Sequence, residues 1–415
     1  MDIYLIIIFF IYILIALFNY WLDHLNISHL KKFGSTIPPE FEDHIDQSLL
    51  DKMKDYTVEN TRFGIISSII NNIILIIFIF GGILNAYNSW VASMGLSFIL
   101  SGLVFFLLMT YAETVIGIPF SIYRTFKIEK KYGFNTMTPK LWITDTIKSL
   151  LLSTIMLSLL IAGGLWIFRK SPDLWWFWIW CFFFAFSLFL MYISPYVLEP
   201  LFNKFVPVGD EELEGDINIL MQKVGIKVSR VFKMDASKRS THTNAYFSGI
   251  GKVKRIVLFD TLIQQLSKSE ILSVLAHEAG HWKKKHILKF IIVTEIIALI
   301  AFYVSFHLLQ SDLLIDLFNI NDSTLFTKII LLGFLGSIVL FPFTPIIHSL
   351  SRKHERQADD YSFDLTGDNE SMITSLVKLS KDNLSNLNPH PLYASFHYSH
   401  PPVLERIRRL KDKKT

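Results

Sequence analysis

Seven long apolar runs divide the chain. They lie near residues 3–22, 64–87, 95–119, 148–168, 174–199, 287–309 and 327–350. Each run is long enough to cross a hydrocarbon layer of about 30 Å as a helix that rises about 1.5 Å per residue. The pattern therefore predicts seven transmembrane helices, and it indicates an all-α polytopic membrane protein.

Two polar segments interrupt and follow these runs, at residues 200–286 and 351–415. In the first, Thr243–Ser248 and Lys254–Phe259 have the composition of strands and flank Gly249–Gly251, which predicts a β-hairpin with a glycine-permitted turn. The chain is accordingly expected to fall into four parts. These are a five-span membrane region (1–199), a first soluble part (200–286), spans six and seven (287–350) and a second soluble part (351–415).

The distribution of positive charge predicts the direction of the spans. Lys and Arg are concentrated in the loops between spans one and two and between spans three and four. The loop Asn88–Met94 has no charge, and Gln310–Phe326 has three aspartates without Lys or Arg. Because cytoplasmic loops carry the excess of Lys and Arg, we expect an external N-terminus. Both polar segments and the C-terminus are then cytoplasmic.

The overall composition excludes several classes of protein. With 51% hydrophobic and only 18% charged residues, the chain is too apolar for a soluble enzyme, and the lipid bilayer is its expected environment. A net charge of +4 gives no argument for nucleic acid as a partner. The single cysteine, Cys181, excludes an intrachain disulfide and a thiolate cluster, so that any zinc must use histidine and carboxylate ligands. The sequence leaves the oligomeric state open.

The candidate chemistry begins with the motif His277-Glu278-Ala-Gly-His281. Ser267 and Glu270 have the spacing of a capping box, so the motif is expected on a helix. Histidines four residues apart share one helix face and can bind one Zn²⁺, with Glu278 beside them as the base. The alternative is a helix face whose two histidines merely lie near acidic groups.

A catalytic zinc needs a third protein ligand. Glu355 is preferred, because Glu355 and Asp359 share a helix face and Asp359 can accept the other ring N–H of a ligating histidine. His286 is rejected, since its spacing lacks the glycine turn of the extended motif, and Glu295 would require a metal at hydrocarbon depth. His354 and Asp360 remain alternatives.

Five stretches of the chain resemble one known family. They are His277–His281, Glu355–Asp359, Ser399–Arg406, Asp235–Phe247 and Lys254–Leu262. Together they resemble the M48 membrane zinc metallopeptidases, and within them the CAAX prenyl protease 1 (Ste24 endopeptidase) branch. The resemblance implies seven membrane helices around a water-filled chamber. It also implies a zincin-like α+β metalloprotease domain with a small β-hairpin or sheet.

The resemblance also implies roles for individual residues. One Zn²⁺ per chain would be held by His277, His281 and Glu355, with Glu278 as the base and Asp359 orienting a ligand histidine. His400 and Arg406 would face the scissile carbonyl and stabilise the oxyanion. The strand that holds the substrate peptide would include Asn244, Ala245 and Tyr246.

Two classes of function follow from these observations. The first is an integral-membrane zinc endopeptidase. Its peptide or protein substrates would be prenylated CAAX-type or other hydrophobic proteins, cut near their C-terminus. An HtpX-like quality-control protease is a variant of this class. The second is a polytopic transporter or channel with a structural HExxH motif, favoured only by polar residues within the spans. Usage rich in Ile, Lys and Asn favours a bacterial inner membrane over the endoplasmic reticulum.

Overall fold

A computed structural model describes residues 2–248 and 253–413, and most of them are helical. The helices are α1 (Ile3–Phe33), α2 (Gln47–Phe80), α3 (Ile83–Ser93), α4 (Phe98–Tyr123), α5 (Lys130–Tyr132), α6 (Pro139–Lys170), α7 (Trp175–Ile193), α8 (Glu199–Phe202), α9 (Glu211–Val224), α10 (Asp260–Gln265), α11 (Lys268–Lys283), α12 (His286–Gln310), α13 (Leu313–Phe318), α14 (Leu325–Leu340), α15 (Thr344–Thr366), α16 (Asn369–Asp382), α17 (Pro391–His397) and α18 (Val403–Asp412). Shorter 3-10 turns lie at Pro39–Phe41, Ala236–Lys238 and Phe341–Phe343, and π-helical turns at Arg124–Glu129 and Ser194–Leu198.

Seven helical segments of the described residues are long and apolar enough to cross a membrane. They coincide with the seven predicted runs, so this part of the predicted fold class is confirmed. Their apolar side chains face outward, as lipid requires: Ile73, Leu151 and Ile296 are all exposed. One apolar cavity of about 350 Å³ lies among spans three to seven, beside Phe168 and Trp175.

The helices differ most from the predicted spans at the second and the seventh span. The run at 64–87 was expected to be one helix, but α2 begins at Gln47 and stops at Phe80. Gly81 and Gly82 follow, and Gly82 has a φ of 81°, which ends the helix and starts α3 in a new direction. The seventh span was expected to end at residue 350, but the helical chain continues through Phe341–Phe343 into α15. The helix that carries Glu355 is thus an extension of the seventh span.

A four-stranded sheet forms the β part of the soluble domain. Its strands are β1 (Phe205–Pro207), β2 (Lys227–Met234), β3 (Ala245–Ser248) and β4 (Val253–Phe259), in the order β1-β2-β4-β3. β2 and β4 are parallel and the other pairs are antiparallel. The predicted hairpin is confirmed by the pairing of β3 with β4, while its turn at Gly249–Gly251 lies outside the described residues. β3 is an edge strand of this sheet.

Two apolar cores hold the soluble part in place. The first packs α9 and α11 against the sheet, with Ile217, Ile256 and Leu275 fully buried. The second joins the loop after α1 to α16 and α18, through residues such as Phe41 and Ile407. Burial of one such side chain stabilises a fold by about 1.5–3 kcal/mol. The second core therefore fixes the soluble domain to the ends of the membrane helices.

Candidate active site

The HExxH motif lies on α11, whose first turn is the predicted capping box. The Ser267 side chain accepts a hydrogen bond from the Glu270 backbone N–H, and the Glu270 carboxylate accepts one from the Ser267 N–H. α11 crosses α15 closely at Gly280, where an added Cβ would lie 3.0 Å from the Ala358 Cα. This close crossing brings the motif helix against the helix that carries Glu355.

Three side chains converge at the crossing. The Nε2 atoms of His277 and His281 lie 3.2 Å apart. Glu355 places Oε2 3.4 Å from His277 Nε2 and Oε1 3.3 Å from His281 Nε2. Among the described residues, these three form the group of histidine, cysteine and acidic side chains with metal-ligand geometry. The structure thus brings together the three predicted ligands.

The donor atoms fit a bound cation. His277 and Glu355 are buried, and Glu355 Oε2 has no hydrogen-bond partner in the part of the chain that the structure describes. Two imidazole nitrogens and a buried carboxylate oxygen are the ligands that divalent transition metals prefer. A cation bound between them would satisfy the orphaned oxygen, so the residues present fit a metal ion.

Behind His277 lies the predicted orienting carboxylate. Asp359 Oδ1 is 2.8 Å from His277 Nδ1. Burial alone would lower the pKa of His277, but the adjacent carboxylates of Asp359 and Glu355 outweigh it and raise this pKa to about 9. The surroundings of His277 therefore favour positive charge at this point.

Glu278, the predicted base, is partly buried beside the group. Its burial raises the pKa of the carboxyl group, the neighbouring His277 and His281 lower it, and Glu355 raises it again. The net direction is upward. A carboxylate with a raised pKa is a stronger base than an exposed one.

The C-terminal segment supplies His400 and Arg406. His400 is exposed at the rim of the group of three ligands, with its Nε2 atom 3.4 Å from Glu355 Oε1. Arg406 lies deeper and donates two hydrogen bonds to Asp359, at 2.9 Å from Nε and 2.6 Å from one terminal nitrogen. Arg406 thus contacts Asp359, the carboxylate beside His277. The predicted action of Arg406 on the oxyanion stays a prediction.

The predicted substrate-binding residues lie at the sheet edge. Ala245 and Tyr246 begin β3, and the Asn244 carbonyl accepts a hydrogen bond from the Phe259 N–H. The Tyr246 hydroxyl donates to Glu199 at the end of span five, 2.7 Å away. Glu199 was not among the predicted site residues, because nothing in the local sequence pattern links it to the strand.

The remaining candidate ligands lie outside the group of three. His354 stacks on His286, and Asp360 pairs with Arg409 and Lys413. Glu295 lies within α12, where its carbonyl oxygen accepts a hydrogen bond from the Trp180 indole. His286 is buried against His281 on the side away from Glu355.

Taken together, seven spans and a buried His-His-Glu group on crossing helices define a membrane metallopeptidase. Two family models cover almost the whole chain: "CAAX prenyl protease N-terminal, five membrane helices" matches residues 26–204, and "Peptidase family M48" matches residues 207–414. The chain belongs to peptidase family M48.

Relatives and a solved structure agree with this family. CAAX prenyl protease 1 of Saccharomyces cerevisiae is 35% identical over 94% of this chain and 91% of its own. The CAAX prenyl protease 1 homolog of Arabidopsis thaliana is 34% identical over 97% of both chains. The crystal structure of S. mikatae Ste24p matches with a TM-score of 0.91 and 33% identity over 99% of each chain. The chain is thus similar to these proteases along its full length.

These findings decide between the two functional classes. The protein is an integral multi-pass membrane metalloendopeptidase that acts on peptide or protein substrates. The transporter alternative is not favoured. The predicted fold class and family are confirmed.

Proposed function

We propose that this protein is a zinc endopeptidase that cuts near the C-terminus of prenylated or similarly hydrophobic substrates. His277, His281 and Glu355 would hold one Zn²⁺. The observation that carries this proposal is the convergence of their donor atoms, together with the orphaned Glu355 oxygen. When bound in such a site, zinc acidifies water and polarises a peptide carbonyl.

Glu278 takes the proton-transfer role in this proposal. Its carboxylate would accept a proton from the attacking water and pass it to the amine nitrogen that leaves. The raised pKa of Glu278, caused first by burial, supports this role, because the protonated form must persist long enough to deliver the proton.

The residues around the three ligands would orient a ligand histidine and stabilise the developing oxyanion. Asp359 would accept the Nδ1–H of His277 and keep Nε2 free for the metal, with Arg406 holding Asp359 in position. His400, exposed at the rim near Glu355, would donate a hydrogen bond to the developing oxyanion. The substrate peptide would add to the β3 edge near Asn244, Ala245 and Tyr246.

The proposed substrate class rests on two further points. The names of the yeast and plant relatives specify CAAX prenyl proteases. A chain with seven membrane spans can also present an apolar surface to a lipid-modified substrate. We propose that the prenyl group contributes binding energy and that the cut lies close to the modified cysteine.

We propose the predicted orientation and domain organisation as well. The N-terminus would be external and the soluble parts cytoplasmic, as the Lys and Arg distribution favours. Of the divisions at 1–199, 200–286, 287–350 and 351–415, the first boundary is supported by the junction between the two family models, which falls between residues 204 and 207. The other two boundaries stay predictions. The predicted bacterial inner membrane gains no support from the relatives above, which come from fungi and a plant.

The decisive test is Glu278→Gln in the purified full chain. We expect about one zinc per chain to be retained while the rate of peptide cleavage falls by about 10²–10⁴-fold, because Gln keeps the shape of Glu but accepts no proton. Metal analysis and a cleavage assay measure the two quantities. The exposed Glu211→Gln is the matched control, and full activity in Glu278→Gln would refute the proposed mechanism.

The substrate class needs its own comparison. Two peptides of identical CAAX sequence, with and without a farnesyl thioether on the cysteine, should differ in cleavage rate in favour of the farnesylated one. Equal rates would contradict the proposed role of the prenyl group and favour general membrane-protein clearance.

A further inference from the structure

Behind His281, on the side away from the ligand group, lie two residues to which no role has been assigned. His286 Nδ1 is 3.2 Å from His281 Nδ1, and His286 Nε2 is 2.9 Å from Gln357 Oε1. His286 is only 3% exposed. We infer that His286 and Gln357 are positioning residues that fix the ring tautomer of His281, and thereby set the metal affinity of the site; this rests on the proposed function.

The direction of the hydrogen bonds follows from the amide of Gln357. Its Oε1 can only accept, so His286 Nε2 carries the hydrogen and His286 Nδ1 has the free lone pair. That lone pair accepts the Nδ1–H of His281. His281 Nε2 is then unprotonated, and it is the atom that faces His277 Nε2 and Glu355.

The opposite direction is incompatible with a metal ligand. If Gln357 donated through its NH₂ group, His286 Nε2 would accept and His286 Nδ1–H would donate to His281 Nδ1. The ring hydrogen of His281 would then lie on Nε2 and point at the place where the donor atoms converge. A protonated nitrogen cannot bind a metal, so metal binding requires the first direction.

The backbone is built to bring His286 to this position. In a continuous helix, a residue five places after His281 would lie about 140° away around the axis. Instead α11 ends, and Lys285 adopts a left-handed conformation with a φ of 56°, which is unfavourable for a residue other than glycine. α12 then begins at His286, whose ring returns to His281.

The ring of His286 is also fixed in its plane. It stacks on His354, with ring centroids 4.1 Å apart and planes at 12°. The two ligand histidines therefore have different outer partners. His277 has the carboxylate Asp359, and His281 has a neutral imidazole whose direction is set by an amide.

Two pairs of variants test this inference through metal binding. Asn at position 286 can place an oxygen near the Nδ1 position and accept from His281, whereas Leu has similar volume and cannot. We expect His286→Leu to weaken zinc affinity by about 10- to 100-fold, and His286→Asn to weaken it less. Likewise Gln357→Glu should keep wild-type affinity, since a carboxylate only accepts, and Gln357→Leu should lose affinity. His354→Phe keeps a stacking ring and should leave affinity unchanged.

The measurements are zinc stoichiometry, affinity by chelator competition, and thermal unfolding of the full chain in detergent. Equal affinity in His286→Leu and His286→Asn, or in Gln357→Leu and Gln357→Glu, would overturn the inference, because a packing role distinguishes neither pair. If the His286 variants do not fold, the partly exposed Gln357 pair decides the question. Absence of zinc from the wild-type protein would instead refute the proposed function.

Discussion

At the scale of single residues, two carboxylates on one helix have different tasks because of their partners. Asp359 is bound by Arg406 and by the Nδ1 side of His277, so its charge is compensated. Glu355 lies one turn earlier, faces the two Nε2 atoms, and keeps one oxygen without a hydrogen-bond partner in the described chain. The carboxylate that keeps an oxygen free beside the two ring nitrogens is therefore the one suited to a cation.

Removing the charge of Glu355 tests this difference. Glu355→Gln keeps the side-chain volume, and we expect it to lower zinc affinity more than about 100-fold, because a ligand is lost rather than an outer partner. Zinc content after dialysis against a chelator measures the effect. Asp360→Asn is the matched control on the same helix and should retain zinc. If zinc were retained in Glu355→Gln but lost in His354→Ala, the third ligand would be His354 and not Glu355.

At the scale of elements, α11 is fixed at its N-terminal end. Its N-terminal turn is closed by the Ser267–Glu270 capping box, and Glu270 also accepts a hydrogen bond of 2.8 Å from Lys378 on α16. Burial opposes ionisation of Glu270, but the hydrogen bonds from Lys378 and Ser267 outweigh it and lower the pKa of Glu270. The ionised carboxylate thus stabilises the start of the motif helix.

The pH dependence follows from this direction. Because the pKa of Glu270 is lower in the folded protein, its stabilisation is present above the unfolded pKa of about 4.3 and is lost as the pH falls through the folded value. Glu270→Gln should cost about 1 kcal/mol of stability at neutral pH. The difference from wild type should shrink below about pH 4. Thermal unfolding at several pH values measures it, with the exposed Glu370→Gln as the control; a constant difference would contradict the assignment.

At the scale of the whole molecule, the site depends on how the soluble domain sits on the membrane helices. Arg239, which follows β2, donates to both carboxylate oxygens of Asp145 at the start of span four, at 2.8 and 3.2 Å. It also donates to Asn203 after span five, at 3.1 Å. Both members of the ion pair are mostly buried. These hydrogen bonds of Arg239 join the chain just before β3 to the membrane region.

A double-mutant cycle on Arg239 and Asp145 tests this connection. Each single change, Arg239→Ala or Asp145→Ala, leaves a mostly buried charge without its partner, so the double change should destabilise less than the sum of the two single changes. We expect a coupling energy of about 1–3 kcal/mol. Lys131→Ala, which removes an exposed ion pair with Glu59, should cost much less stability than either of these changes. Additive effects on thermal unfolding would refute the coupling.

Part of the site could be predicted from the sequence, because it depends on local spacing. The four-residue interval between His277 and His281 and the capping box three residues apart are helical periods, and α11 reproduces both. The apolar runs likewise predicted seven spans, since length alone decides whether a helix can cross a bilayer. Assigning the third ligand required the family resemblance, because spacing alone left His354 and Asp360 as alternatives to Glu355.

The features that the sequence did not predict depend on one unusual backbone turn and on contacts between distant elements. The side of His281 on which His286 lies is set by a left-handed turn at Lys285, a residue type that gives no signal for it. The partner of Tyr246, Glu199, belongs to another part of the chain. The length of the apolar runs thus determined the membrane spans, and local spacing determined the motif helix. The helix crossing at Gly280 decided which side chains meet, since packing constrains residues that are far apart in sequence.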